Sequence, residues 1–257
     1  MFKINLLFAL TLCCTVVGIQ CDLTGGCDCR AIMTKLKLLV GEETVKRSCA
    51  EVPYSGIYTI QPEKPFKEPM SVLCDQEYDR GGWIVIQHRF DGSTNFYRSW
   101  QEYKNGFGNL EGEFWLGLDR IHQLTVSRPH ELAILLEDFE GNKAFARYNL
   151  FEIGDENEKY ELKKLGAHCG TFNDSLVNQN GMKFTTFDSD NDFWSSGNCA
   201  VKGSGAWWYR SCHHSNLNGK YLRGVTKEYA TGMIWFYFRG DHYSLKVSKM
   251  MIRPMNA

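Results

Sequence analysis

Three aspartates at alternate positions form the part of this chain with the most defined chemistry. Asp188, Asp190 and Asp192 lie in an irregular polar stretch, and Cys199 and Cys212 follow further along the sequence. A calcium ion takes roughly six to eight oxygen ligands in flexible geometry, and alternate carboxylates completed by backbone carbonyls can supply them. A solvated acidic turn has the same composition. The residues alone therefore leave a calcium site and an acidic turn as equal alternatives.

An EF-hand and the common catalytic motifs are excluded by the sequence. Counted from Asp188, the sixth position is Phe193 where an EF-hand needs glycine, and the twelfth is Cys199 where it needs glutamate. The chain has no nucleophile elbow, no HExxH zinc motif and no phosphate-binding loop. Its 29 basic and 30 acidic residues nearly balance, whereas nucleic-acid binding needs a clustered basic surface. We therefore predict a binding protein that is not an enzyme and takes no nucleic acid.

The N-terminus has the pattern of a secretory signal peptide. Lys3 precedes an apolar run from Ile4 to Val17, and the small residue Gly18 follows it. The run is too short for the roughly 20 residues that span a bilayer. We predict a signal peptide over residues 1–18 and a secreted, extracellular protein without membrane insertion.

Residues 19–48 contain three cysteines and one short apolar stripe. The cysteines are Cys21, Cys27 and Cys29, and the apolar residues from Ile32 to Val40 recur at helical spacing. Because an extracellular compartment favours disulfides, the cysteines are predicted to link protomers into a homo-oligomer. An internally bridged leader is the alternative.

From Cys49 onward the sequence predicts one α+β domain, residues 49–257. Aromatic and β-branched residues favour strands, and two alternating segments around a Gly141 turn favour a hairpin. Between residues 154 and 244 regular periodicity fades, and glycine, asparagine, aspartate and aromatic residues dominate. Such loop-rich regions commonly carry binding groups. The predicted strands are residues 56–60, 83–87, 132–138 and 144–150, and the predicted helices are residues 99–105 and 117–124.

Ordered motifs along the sequence resemble fibrinogen C-terminal domain (fibrinogen-related) proteins, and within them the ficolin-like and tachylectin-like lectins. The resemblance extends from about Cys49 to Pro254 and implies an antiparallel sheet, short helices and a loop-rich subdomain that binds calcium and ligand. The motifs include Cys49-Ala-Glu-Val-Pro, Gly81-Gly-Trp83, Gly112-Glu-Phe-Trp-Leu-Gly-Leu118, Gly197-Asn-Cys199-Ala, Gly205-Ala-Trp-Trp-Tyr209 and Met251-Ile-Arg-Pro254.

The same resemblance implies the disulfides and the metal ligands. It pairs Cys49 with Cys74 and Cys199 with Cys212, and it leaves Cys169 either free or bound to the leader or to another protomer. Carried over to this sequence, the calcium ligands are the carboxylates of Asp190 and Asp192 and the carbonyls of Trp194 and Ser196.

A ligand pocket is implied beside the metal. Its matching residues are Ser211, Cys212, His213 and Tyr229, with a cis peptide bond expected between Ser211 and Cys212. Two further positions that are often aromatic in acetyl-binding lectins are Gly203 and Asp241 here. Without aromatic rings at these two positions, the pocket offers less apolar surface to an acetyl methyl group.

The resemblance predicts a calcium-dependent lectin of innate immunity. Its partner would be an acetylated carbohydrate or a glycoprotein on microbial or cell surfaces. The alternative is an extracellular protein-binding ligand or matrix protein, angiopoietin-like or tenascin-like, without sugar binding. Asn173-Asp174-Ser175 is an N-glycosylation sequon, so Asn173 is a predicted glycan site.

Overall fold

An antiparallel sheet organises the described part of the protein, residues 45–62 and 68–255 of a computed structural model. The compact unit begins at Lys46, and the segment that carries Cys21, Cys27 and Cys29 lies outside the described residues, as do residues 1–18. The strands are β1 Gly56–Ile60, β2 Met70–Asp75, β3 Trp83–Arg89, β4 Phe107–Gly108, β5 Phe114–Trp115, β6 His130–Glu137, β7 Lys143–Ile153, β8 Leu162–Leu165, β9 His168–Gly170, β10 Ser215–Asn216, β11 Gly224–Val225, β12 Ile234–Trp235, β13 Tyr243–Ser244 and β14 Val247–Pro254.

The main sheet has the order β1-β2-β3-β14-β6-β7-β8, so the C-terminal strand β14 lies in its centre. All of its strand pairs are antiparallel. In the described residues, four short helices accompany the sheet: α1 Trp100–Asn105, α2 Leu118–Ser127, α3 Cys199–Gly203 and α4 Phe236–Arg239. In the described ranges, no helix has the length and apolar character that crossing a membrane requires. The predicted α+β class with an antiparallel sheet and short helices is confirmed.

Local sequence explains the hairpin and the first helix. β6 pairs with β7 up to Glu137 and Lys143, and the Asp138 carboxylate closes the turn by accepting the backbone N–H groups of Glu140 and Asn142. Ser99 caps α1 with a reciprocal Glu102 capping box, which satisfies N–H groups at the helix start. Both elements lie where the sequence predicts them, although β6, β7 and α2 extend further than predicted.

Two polar side chains of β3 attach the loop-rich region to the sheet. The Arg89 Nη1 donates to the carbonyls of Leu217 and Gly219 at 3.2 and 2.9 Å, and Gln87 Nε2 donates to the Leu217 carbonyl at 3.1 Å. Arg89 is buried, and its Nε lies 3.8 Å from an oxygen of the buried Glu113 carboxylate. Burial lowers the pKa of Arg89 to about 10, so the guanidinium remains charged at neutral pH. We call Gln87, Arg89 and Glu113 the β3 clamp.

His130 makes the stability of the sheet depend on pH. Burial lowers its pKa from 6.5 to about 4, and its Nδ1 lies 2.8 Å from the Arg128 carbonyl. The unfolded protein therefore binds a proton between pH 6.5 and 4 that the folded protein does not, so stability falls as pH falls through this window. We expect His130→Asn to remove up to about 3 kcal/mol of the stability difference between pH 7 and pH 4. Urea unfolding at both pH values measures it, and an unchanged difference would contradict this assignment.

Candidate ligand-binding site

Buried aromatic residues form the support beneath the site. Trp207, Trp208 and Tyr209 are fully buried. All three bond their polar atoms inside the protein: Trp207 Nε1 donates to the Ser215 hydroxyl at 3.2 Å, Trp208 Nε1 donates to the Tyr160 carbonyl at 2.8 Å, and the Tyr209 hydroxyl donates to Asn216 Oδ1 at 2.6 Å. Because their rings are not accessible, Trp207 and Trp208 position the loops and do not contact a ligand.

We call residues 188–192 the acidic loop, and its three aspartates have different roles. Asp188 Oδ1 accepts the Trp100 N–H at 2.9 Å and the Thr186 hydroxyl at 2.7 Å, which ties this residue to α1. Asp192 uses one carboxylate oxygen for the Trp194 N–H and the other for the Cys199 N–H, both at 2.8 Å. Its own N–H donates to Asp190 Oδ1 at 3.3 Å. Asp190 and Asp192 are therefore neighbours, whereas Asp188 is part of the support.

The oxygen atoms around Asp190 and Asp192 are of the type that binds calcium. Partial burial raises the pKa of Asp192, and the adjacent Asp190 charge adds to this effect. The carbonyl of Trp194 accepts the Gly197 N–H at 3.2 Å, and Ser196 is exposed. Among the residues that the structure describes, no three His, Cys, Asp or Glu side chains form a metal-binding cluster. The set implied for this loop has only two carboxylates, and all four of its donors are hard oxygens on an accessible loop.

Two connections join the acidic loop to the neighbouring 210–212 segment. Asp192 holds the N–H of Cys199, and Cys199 is bonded to Cys212 by a disulfide. In parallel, the Phe193 N–H donates to the Arg210 carbonyl at 2.7 Å. A change in the position of the acidic loop would therefore move the 210–212 segment.

That segment forms one side of an open cavity of about 400 Å³. The four residues implied as ligand contacts lie together around it, and the peptide bond between Ser211 and Cys212 is cis. Sequence reasoning missed several other lining residues, although Lys202 and Arg210 adjoin motif residues that it had used. The cavity is lined by Asn178, Gln179, Lys202, Gly203, Arg210, Ser211, Cys212, His213, His214, Tyr229, Ala230 and Asp241.

His213 is held in a neutral form in this cavity. Burial lowers its pKa to about 4, and its Nε2 lies 3.1 Å from the Ala230 carbonyl. In the neutral ring Nε2 therefore carries the hydrogen and donates it to Ala230, which leaves Nδ1 as an acceptor. Nδ1 is buried and has no hydrogen-bond partner among the described residues. At physiological pH His213 therefore contributes no charge to the cavity.

The two departures from the family pattern both lie at this cavity. The Asp241 carboxylate raises the pKa of Tyr229 and accepts a hydrogen bond from its hydroxyl, and the Tyr229 ring is 57% exposed. At Gly203, a Cβ atom would lie 3.2 Å from the Tyr209 hydroxyl and 3.3 Å from Asn216 Nδ2, so a side chain fits with a small adjustment. At two positions where acetyl-binding lectins often have aromatic rings, the cavity thus has the negatively charged Asp241 and Gly203, which has no side chain.

The remaining predicted sites lie away from the cavity. Cys49 and Cys74 form a disulfide that joins a 3-10 turn, Cys49–Glu51, to β2. Cys169 lies exposed on β9 and forms no disulfide with another cysteine of the described residues. Asn173 is exposed, so its side chain is accessible for glycosylation.

Comparison with curated proteins finds relatives that are about half identical to this chain. The chain is 51% identical over 204 residues to Ryncolin-4 from Cerberus rynchops, which amounts to 79% of this chain and 58% of that protein. It is 49% identical over 205 residues to human fibrinogen C domain-containing protein 1, which amounts to 78% of this chain and 44% of that protein. The chain therefore spans about half the length of these relatives.

Solved structures share the fold. The fibrinogen-like globe domain of human ANGPTL2 matches with a TM-score of 0.78 and 46% identity, over 81% of this chain and 99% of that one. A lamprey fibrin D-dimer, solved with the peptide Gly-His-Arg-Pro-amide, matches with a TM-score of 0.76 and 31% identity, over 100% of this chain and 86% of that one.

The family described as the C-terminal globular domain of the fibrinogen beta and gamma chains matches residues 44–255, most of the sequence. The relatives, the solved structures and the antiparallel fold agree with that match. This protein belongs to the fibrinogen C-terminal globular domain family.

Proposed function

We propose that this protein is a secreted, calcium-dependent lectin that binds acetylated carbohydrate or glycoprotein on microbial or cell surfaces and serves in innate immunity. The observation that carries the proposal is the cavity itself, which brings Ser211, Cys212, His213 and Tyr229 together and is joined to the acidic loop through the Cys199–Cys212 disulfide. Concave sites with a few fixed polar groups are typical of small-ligand binding, and nothing in the sequence motifs calls for catalysis.

In this proposal Asp190 and Asp192 hold calcium with the carbonyls of Trp194 and Ser196. A bound calcium ion would supply positive charge that offsets the two neighbouring carboxylates. Asp192 would keep its hydrogen bond to the Cys199 N–H. The Cys199–Cys212 disulfide would then hold the cavity residues in place relative to the acidic loop. A cavity that is fixed before binding loses less conformational freedom when the sugar enters.

Within the cavity, the backbone N–H groups around Cys212 would donate to the acetyl oxygen. The neutral His213 ring and the exposed Tyr229 ring would contact the acetyl methyl group. Binding by one such site is expected to be weak because the aromatic walls at positions 203 and 241 are absent. Disulfide-linked oligomers through Cys21, Cys27 and Cys29 would raise the overall affinity by presenting several sites at once.

A second candidate is binding to a protein, without sugar. The Asp241 charge favours it because it makes the cavity more polar, and Gly203 favours it because it supplies no aromatic wall. The similarity to ANGPTL2 and to a fibrin solved with a peptide ligand is consistent with a peptide occupant. In that case Asp241 would accept a hydrogen bond from a cationic group of the peptide.

Capture on an N-acetylglucosamine matrix, measured for the mature protein and for Gly203→Tyr, separates these candidates. We expect calcium-dependent capture that EDTA or free N-acetylglucosamine releases. Because one aromatic contact contributes about 0.5–1.5 kcal/mol, Gly203→Tyr should bind about twofold to tenfold more tightly. Val201→Tyr is the matched control, since Val201 is 53% exposed on the same helix and does not line the cavity.

The outcomes distinguish the two candidate functions. Capture by the wild type supports the lectin. Capture by Gly203→Tyr alone would mean that the fold retains an acetyl site that the natural residues have disabled, which favours the protein-binding candidate. If neither the wild type nor Gly203→Tyr binds while both are folded and calcium-loaded, the lectin proposal is rejected.

A further inference from the structure

We propose that a group of exposed aromatic rings beside the cavity forms a second sugar subsite, so that the protein recognises an oligosaccharide and not a single sugar. This inference rests on the proposed lectin function and extends it. We call Phe172, Phe236 and Tyr237 the aromatic platform. Their exposed fractions are 41%, 38% and 42%, so three large rings lie partly in solvent on the same part of the surface. Grouped exposed apolar residues often mark a binding surface.

The platform is held in place by its own contacts. The Tyr237 N–H donates to the hydroxyl of the fully buried Ser175 at 3.1 Å, and the Phe236 N–H donates to the His214 carbonyl at 2.9 Å. Phe172 stacks on Phe238 with ring centroids 5.1 Å apart. These bonds fix the backbone that carries Phe236 and Tyr237, and ring packing holds Phe172, so a ligand would have little of the platform to order.

The platform is continuous with the cavity through His214. His214 lines the cavity, and its Nδ1 lies 2.8 Å from the amide nitrogen of Asn178, which lines the cavity as well. The His214 ring lies 5.4 Å from the Phe236 ring and 6.2 Å from the Tyr237 ring, and it is nearly parallel to the latter. The platform thus begins one ring beyond the cavity rim.

A pyranose ring is the occupant that this arrangement favours. One face of such a ring carries axial C–H groups, which pack against the negatively polarised face of an aromatic ring. Asn178 offers an exposed amide next to the same path for sugar hydroxyl groups. An oligosaccharide anchored by its terminal acetamido group in the cavity would place its next ring over His214 and Tyr237.

The test compares soluble N-acetylglucosamine with its β-linked tetramer by titration calorimetry in calcium. All measurements use mature protein that carries Asn173→Gln. The substitution removes a predicted glycan next to Phe172, and it leaves in place Ser175, whose hydroxyl accepts the Tyr237 N–H. We expect the tetramer to bind about tenfold more tightly than the monosaccharide, the upper end of one aromatic contact. Tyr237→Ala should remove this gain and leave the monosaccharide affinity unchanged. Tyr237→Phe should retain the gain, which separates lost stacking from lost folding.

Tyr54→Ala is the control for removal of an exposed aromatic, because Tyr54 is 75% exposed and belongs to neither site. It should change neither affinity. Equal binding of both sugars, or a gain that survives Tyr237→Ala, overturns the second subsite and leaves the lectin function standing. Failure to bind either sugar overturns both.

Discussion

Replacing Glu113 by alanine is expected to lower the free energy of unfolding by about 3–5 kcal/mol, a large share of the roughly 5–15 kcal/mol that stabilises a typical domain. Glu113 is 1% exposed, and one of its carboxylate oxygens accepts the N–H groups of Phe90, Asp91 and Gly92 at 2.7–3.0 Å. Its loss would leave these donors without their acceptor and the buried Arg89 charge without a counterion. Removing one partner of a buried pair is costly because the other charge remains buried.

Urea unfolding of the wild type, Glu113→Ala and Glu111→Ala measures this effect. Glu111 lies in the same turn but is exposed, so its substitution should change the unfolding free energy by less than about 0.5 kcal/mol. Because Arg89 also holds Leu217 and Gly219, Glu113→Ala should reduce sugar capture in protein that stays folded. Similar unfolding curves for both variants would show that the β3 clamp contributes little.

Asp192→Asn is expected to abolish the response to calcium. The substitution removes one of two neighbouring negative charges and one of the two oxygens that accept the Trp194 and Cys199 N–H groups. A unit charge beside a divalent cation is worth several kcal/mol near a protein surface, so on the order of 3 kcal/mol, about a hundredfold in affinity, should be lost. At a calcium concentration about 100 times its dissociation constant, the wild type gains roughly 2.7 kcal/mol of stability, of which the variant should keep only about 0.4 kcal/mol.

Asp188→Asn is the matched control, because Asp188 binds Trp100 and Thr186 and is not an expected ligand. Thermal unfolding with calcium and with EDTA should show the calcium response in the wild type and in Asp188→Asn, and not in Asp192→Asn. A calcium response that persists in Asp192→Asn, or one that is absent from the wild type, would remove the metal from the proposed mechanism.

Local pattern was sufficient for several elements of the fold. The alternating residues around Gly141 predicted the β6–β7 hairpin, because strand periodicity and turn preference are properties of neighbouring residues. The helix predicted over residues 99–105 is likewise present as α1, and the structure shows that a Ser99 and Glu102 capping box starts it. The boundaries were less accurate: β7 continues to Ile153 and α2 to Ser127, since tertiary packing extends elements beyond their local signals.

The candidate site was predictable in its parts but not in its arrangement. Motif resemblance indicated Asp190, Asp192, His213 and Tyr229, yet nothing local assigned Asp188 to the support of α1. The difference depends on a hydrogen bond to a residue far away in the sequence, which spacing within the loop does not encode.

By itself the sequence determined the family, the α+β class and the residue types available around the cavity, because these follow from motifs and from local periodicity. Only the tertiary structure placed the charged Arg89 of a central strand between Glu113 and the carbonyls of Leu217 and Gly219. Only it brought Tyr237 beside His214 at the edge of the cavity. Both arrangements join residues that are distant in the sequence, and burial, not local pattern, decides which of them meet.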